Sequence, residues 1–401
     1  MNLPSRRGPL AGIKVIELAG IGPGPMCAML LADLGATVLR IDRREPSGLG
    51  IERPLRHNLL LRNRHSISLN LKDPDAVAMV LRLVEEADAL VEGFRPGVTE
   101  RLGLGPDPCL ARNPRLVYGR VTGWGQTGPL AQRAGHDINY LALTGILDAI
   151  GHAGAPPSIP LNLVGDYAGG SLYLALGLLA GVLEARQSGR GQVVDAAIVD
   201  GAAHLATTFF GMLAAGMLGA RGTNILDGGA YFYDVYECAD GKWVTVGPVE
   251  SKFLAELLRL LDLDSAEVDR RSERAAWPMA RALLAAKFRT ATRDEWTARL
   301  QDSDACFAPV LSWTEAPRHP HLAERGTFIE VDGVTQPAPA PRFSRSDTDR
   351  PTPPSPNDAD LAAALAGWLA AARTDRHPAA CRHVAASTAF LSAKVRPAHR
   401  P

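Results

Sequence analysis

The chain has 401 residues, with 43 Lys plus Arg against 43 Asp plus Glu, so its formal net charge is zero. That length leaves room for two domains and a sizeable core, while the balanced charge argues against nucleic acid and against an anionic membrane as partner. Cys27, Cys109, Cys238, Cys306 and Cys381 fall at no paired spacing, which speaks against a disulfide framework or a zinc site and suits a reducing cytoplasm.

Taken from the start, Lys14 to Leu18 reads as a buried strand, Gly20 to Pro25 as a turn, Met26 to Leu34 as a helix and Thr37 to Ile41 as the next strand. The turn, with Asp42 after the second strand, invites a dinucleotide reading. That reading fails, because the third glycine of the fingerprint falls at Pro25 and the prolines remove amides a pyrophosphate would use. The glycines still let another ligand approach the backbone. Arg43-Arg44 and Arg62-Asn63-Arg64-His65 follow a strand edge, where such a cluster either binds phosphate or forms a solvated loop. Leu69 to Leu71, a helix from Pro74 to Ala87 and the strand Ala89 to Val91 continue the alternation. The next loop, Glu92 to Val98 followed by Arg101, lies past a strand's carboxyl end, where open α/β sheets collect ligands. Leu116 to Val121 is a further strand, and the loop Thr122 to Pro129 needs something packed under Trp124.

Two candidate bases stand next, each at an expected helix start. His136 precedes an apolar-periodic segment from Ile138 to Ile150 that Asp137 can cap, and Asp166 heads the apolar segment Leu172 to Leu183. The latter has the length of a buried helix rather than of a membrane span. A His and an Asp so placed can face one substrate carbon from opposite sides; the alternative is an ordinary N-cap and a surface loop residue. Gly189-Arg190-Gly191 then stops the helix, Gln192 to Ile198 is a strand, Val199 to Ala215 an apolar helix, and glycine-rich Gly216 to Gly229 a boundary. Ala230 to Val246 reads as a hairpin and Glu250 precedes a helix, which opens a smaller α/β domain. Pro337 to Pro341 and Pro351 to Pro356 read as linkers, followed by an alanine-rich helix near Leu361 to Ala372, and no periodicity organises Thr374 to Pro401.

Several stretches carry a resemblance. Glu17-Leu18-Ala19-Gly20-Ile21-Gly22-Pro23-Gly24-Pro25, Arg95-Pro96-Gly97-Val98, Thr122-Gly123-Trp124-Gly125-Gln126-Thr127-Gly128-Pro129, Gly135-His136-Asp137-Ile138-Asn139-Tyr140 and Asp304-Ala305-Cys306 are among them. Over about residues 9 to 345 the chain resembles the class III CoA-transferase superfamily and, within it, the α-methylacyl-CoA racemases. The resemblance implies that His136 and Asp166 are the catalytic bases, that Glu250 partners His136 and that Asp137 belongs to the same network. It implies CoA along Ile21, Arg43, Leu61, Arg64, Gly93, Phe94 and Arg101, with no metal and no cofactor beyond the CoA of the substrate. The fold it implies is an α/β one, a large Rossmann-like domain with a smaller α/β domain, in an interlocked homodimer. The expected boundaries are 1–198 for the first part of the large domain, 199–229 for a linker, 230–322 for the small domain, 323–373 for a return to the large domain and 374–401 for a tail. The implied reaction interconverts (2R)- and (2S)-2-methylacyl-CoA by two-base proton transfer through an enolate. The rival is a CoA-transferase with Asp166 as nucleophile, against which Gly22 and His136 both speak.

Overall fold

The computed structural model describes residues 6–45, 48–356 and 368. Six strands form one sheet: β1 (Lys14–Leu18), β2 (Thr37–Asp42), β3 (His65–Ser68), β4 (Ala89–Glu92), β5 (Val117–Thr122) and β6 (Gln192–Ala197). Their order is β3-β2-β1-β4-β5-β6 and every neighbouring pair is parallel. The order reverses between β1 and β4, which opens a crevice beyond the carboxyl ends of those two strands. Both faces are covered, so the central strands β1, β2, β4 and β5 are buried at nearly every position, their charged residues included. Val15, Val38, Val91 and Val117 pack with Leu31 of α1 (Pro23–Asp33), while Ile16, Leu39 and Leu90 pack on the other face with Val80 and Leu83 of α2 (Pro74–Val84).

Local departures from the sequence reading have physical causes. Helix α1 begins at Pro23, not at Met26, because proline's fixed φ suits the first helical turn and its missing N–H would have had no acceptor there. The third strand is His65–Ser68 rather than Leu69 to Leu71. The helix expected through Ile150 is broken into α3 (Asp137–Leu143) and α4 (Ile146–Ala149) at Gly145, whose φ is 80°. A π-helical segment, Leu163–Leu172, runs straight into α5 (Tyr173–Ser188), and the expected helix Val199 to Ala215 is two, α6 (Ile198–Leu205) and α7 (Thr207–Ala214). By length and composition the continuous stretch Leu163–Ser188 is long and apolar enough to cross a membrane. Its inner side, Leu174, Leu178 and Val182, lies in the core against the sheet.

A second, antiparallel sheet of β7 (Asp234–Glu237), β8 (Trp243–Val246) and β9 (Phe307–Pro309) packs with α8 (Ser251–Leu260), α9 (Trp277–Phe288) and α10 (Arg293–Leu300). It has its own core around Tyr236, Leu257, Leu284, Phe288 and Trp296. The chain then makes the hairpin β10 (Phe328–Val331) and β11 (Val334–Pro337), so Pro337 ends a strand rather than opening a linker. The return is tied to the large sheet by polar bonds: Arg62 Nη1 donates to Gln336 Oε1 at 2.9 Å and to the Pro337 carbonyl at 2.8 Å, and Thr352 N–H to Asn63 Oδ1 at 2.7 Å. Buried Trp368 donates from Nε1 to the Leu83 carbonyl at 3.1 Å, and Lys14 Nζ donates to the Trp368 carbonyl at 2.7 Å. Apart from Trp368, the helix expected near Leu361 to Ala372 lies outside the described residues, as does the stretch from Thr374 onward.

Candidate active site

Helix α3 starts at His136, whose backbone N–H is taken by Asn139 Oδ1 at 3.0 Å, one half of a capping box. The loop before it is fixed by an aromatic pair. Tyr140 meets Trp124 edge-on with ring centroids 4.7 Å apart, and its hydroxyl donates to the Gly135 carbonyl. A Cβ on Gly123 would stand 2.0 Å from that tyrosine ring and one on Gly135 2.8 Å from it, so the ring dictates both glycines. This is what the loop Thr122 to Pro129 packs on. The His136 side chain is left exposed.

Asp137 does not cap its own helix. It is buried one position further in, and its Oδ1 accepts the backbone N–H of Asp166 at 2.6 Å, while Oδ2 finds no hydrogen-bond partner among the described residues. The two candidate bases are thereby joined through a single side chain. Asp166 in turn does not precede an α-helix. It occupies the first turn of the π-helical segment, where Tyr167 N–H donates to the Asn162 carbonyl five residues back at 3.3 Å. Such wide turns are rare and concentrate at functional sites. Asn162 Nδ2 donates to Asp166 Oδ2 at 3.3 Å, and Gly22, at φ 65°, sits so close that a Cβ there would lie 3.2 Å from the same oxygen. The first βα loop thus reaches the carboxylate, and glycine at position 22 leaves it room.

Burial holds the Asp166 carboxyl above the usual carboxylate range; the Asn162 amide opposes this, the Asp137 charge adds to it, and His136 is near enough to oppose it as well. The Asp137 carboxyl is raised too, by burial, against the bonds it accepts from the Asp166 and Gly165 amides. Glu250 is the exposed N-cap of α8 and among the described residues makes no hydrogen bond to His136 within the protomer. It lies instead beside Cys306, whose thiol is raised first by burial and then by the Glu250 charge.

The loops after β1, β2 and β4 gather Ile21, Arg43, Gly93 and Phe94 at the crevice, with the Arg43 guanidinium 5.9 Å over the Phe94 ring. Arg43 and Arg101 are exposed and Leu61 is half-buried. The Phe94 loop is shaped from below by Glu92, which takes the Phe94 N–H at 2.7 Å and Arg120 Nε at 2.7 Å. Arg64 stands apart. Its side chain is wholly buried, ion-paired with Glu17 and donating to the Pro25 carbonyl at 2.6 Å, while Glu17 also takes Arg40 Nη1 at 2.6 Å. The Arg64 guanidinium therefore braces β1 against α1 and does not reach the crevice. Sequence reasoning missed Asn162 and Glu92; the available signal for Asn162 was a carboxamide one turn ahead of a carboxylate.

With this geometry in hand, comparison with known proteins is specific. The sequence profile of CoA-transferase family III matches residues 10–375. The chain is 44% identical over 340 residues to the mouse α-methylacyl-CoA racemase, covering 84% of this chain and 87% of the relative. It is 43% identical over 334 residues to the human one, covering 82% and 86%. Succinyl-CoA:L-malate CoA-transferase alpha subunit of Chloroflexus aurantiacus is 32% identical over 362 residues, 84% of this chain and 83% of that one. The solved structure of a CaiB/BaiF family protein from Brucella suis superimposes with a TM-score of 0.76 at 27% identity, over 90% of this chain and all of the other. The chain belongs to CoA-transferase family III.

Proposed function

We propose that this enzyme interconverts (2R)- and (2S)-2-methylacyl-CoA thioesters. The observation that carries the reading is the junction of an imidazole and a carboxyl at one glycine-lined point, bridged through the Asp137–Asp166 bond; the racemase relatives support it. A thioester acidifies its α-hydrogen because the carbanion's charge moves onto the carbonyl oxygen. A first-turn amide of α3 stabilises that oxyanion, a contribution of about 3 kcal/mol for one such donor. Neutral His136 takes the proton from one face and protonated Asp166 returns one to the other; the reverse direction uses carboxylate and imidazolium. Burial, which favours the protonated Asp166, supports its part as the acid. The chemistry is proton transfer alone and calls for neither metal nor redox cofactor.

Arg43 and Arg101 meet the CoA phosphates, Ile21, Leu61 and Phe94 flank its apolar parts, and Gly93 lets its backbone approach. Arg64 serves this site only from beneath, through the ion pair with Glu17. The acyl chain takes the apolar cavity of about 580 Å³ lined by Ile146, Val164, Phe209, Phe210, Leu213 and Leu226. The molecule works as a homodimer in the cytoplasm. Helix α7 buries none of its residues, and its Phe210 and Leu213, which line that cavity, are 54% and 58% exposed, so the cavity's open side is an apolar face that a second copy would cover. The partner's Glu250 then completes His136.

The test is wild-type protein with (2R)-2-methylacyl-CoA in D₂O. Deuterium at the α-carbon with both epimers formed is the expected result. CoA transfer between carboxylic acids without α-deuterium would overturn the reading and leave Asp166 a nucleophile.

A further inference from the structure

Asp166's carboxyl lies between two backbone stretches, its own π-helical turn and the loop carrying Gly22. One side chain ties those stretches together. Ser171 is fully buried, and its hydroxyl shares its one proton between the Asp166 carbonyl at 3.0 Å and, also at 3.0 Å, the carbonyl of Pro23, the residue after Gly22. The backbones press closely here, since a Cβ on Gly170 would stand 3.0 Å from the Pro23 side chain. The Asp166 peptide is consequently gripped at both ends, its N–H by Asp137 and its C=O by Ser171. The hydroxyl's shared bond runs to α1 and to the Asp166 turn, and among the described residues it makes none to α3 or His136.

We infer that Ser171 is the positioning residue of Asp166: it sets the reach of that carboxyl toward the substrate carbon and acts on one face of the reaction only. Proton transfer demands heavy atoms within hydrogen-bond reach, and a displacement on the order of 1 Å costs about a hundredfold. A buried hydroxyl that clamps the base's own carbonyl to the neighbouring loop limits such displacement. Removing it frees the carbonyl end of the turn that holds Asp166, while the start of α3 keeps the Asn139 cap and the Asp137–Asp166 bond.

The assay rests on the racemase reading, and its reference is Asp166→Ala: the epimer whose α-proton exchange in D₂O collapses in that variant marks the face Asp166 serves. In Ser171→Ala, kcat for exchange of that epimer should fall about tenfold, with the other epimer and both KM values within about twofold. Ser171→Cys, which is slightly larger and a weaker donor, should show a smaller loss on the same epimer. Equal losses on both epimers, as a general structural defect gives, would overturn the proposal, and so would no loss on either. A crystal structure of Ser171→Ala tests the placement without turnover: the Asp166 carboxyl should move relative to Gly22, and an unmoved carboxyl refutes the inference. Wild-type protein that exchanges no α-proton would sink the racemase reading alone, because the crystallographic result stands independently of it.

Discussion

The two candidate bases are held in contrasting ways. Asp166 is finished by its own chain: Asp137 takes its N–H, Asn162 donates to its carboxylate, Ser171 to its carbonyl, and Gly22 stands against it. His136 has a fixed backbone, through Asn139 and the Tyr140–Gly135 bond, but an exposed ring. The contrast separates a residue fixed by many contacts within the described chain from one fixed only through its backbone. A general base needs its ring oriented and its charged form stabilised. For Asp166 such contacts are present among the described residues; for the His136 ring no hydrogen bond is found among them.

The strongest way to break this comparison is to remove each base. His136→Ala and Asp166→Ala should each lower racemisation by about 10³-fold or more, yet retain faint α-proton exchange on opposite epimers, as read by mass spectrometry in D₂O. Loss on the same epimer in both variants would mean that they do not serve opposite faces. A middle-sized effect sharpens the assembly half. Glu250→Gln alone should lower kcat by about 10- to 100-fold. Co-expressed with His136→Ala, it should recover about a quarter of wild-type activity, since half the protomer pairs are mixed and each mixed pair has one intact site. No recovery would place Glu250 and His136 in one chain's site. The smallest effect concerns stability. Asp166's folded pKa lies above its unfolded one, so the stability tied to its protonated form is present at low pH and lost as pH rises through the folded value. Asp166→Asn stays neutral, so its Tm should exceed that of wild type near pH 8, and the advantage should vanish toward about pH 4. Equal Tm values at both pH values would contradict this.

The sheet was legible in the sequence because apolar runs bounded by Gly and Pro need no partner to be recognised. Even so, β3 was displaced to Leu69, since an edge strand spelled His-Ser-Ile-Ser shows little apolar signal. The two candidate bases are legible as residues but their geometry is not. Apolar periodicity does not separate a turn closed five residues back from one closed four back, so the wide turn around Asp166 was invisible. Arg64 shows the converse problem: its spacing suits a phosphate site, and its burial follows from β1 and β2 setting Glu17 directly beside Arg40 in register, a long-range pairing that the local sequence does not carry. Glu250 was reached through the resemblance alone.

The Lys14–Trp368 bond, which joins residues 354 apart, also bears on the order of events in synthesis. The face of β1 and α2 that Trp368 closes stays open until residue 368 has left the ribosome, and closing so long a loop is entropically late. A chain tied near both ends is a closed ring, through which a second polypeptide passes only before the knot is drawn. Two such rings would interlock most readily while residue 368 is still untied, because threading a closed one requires that contact to open first.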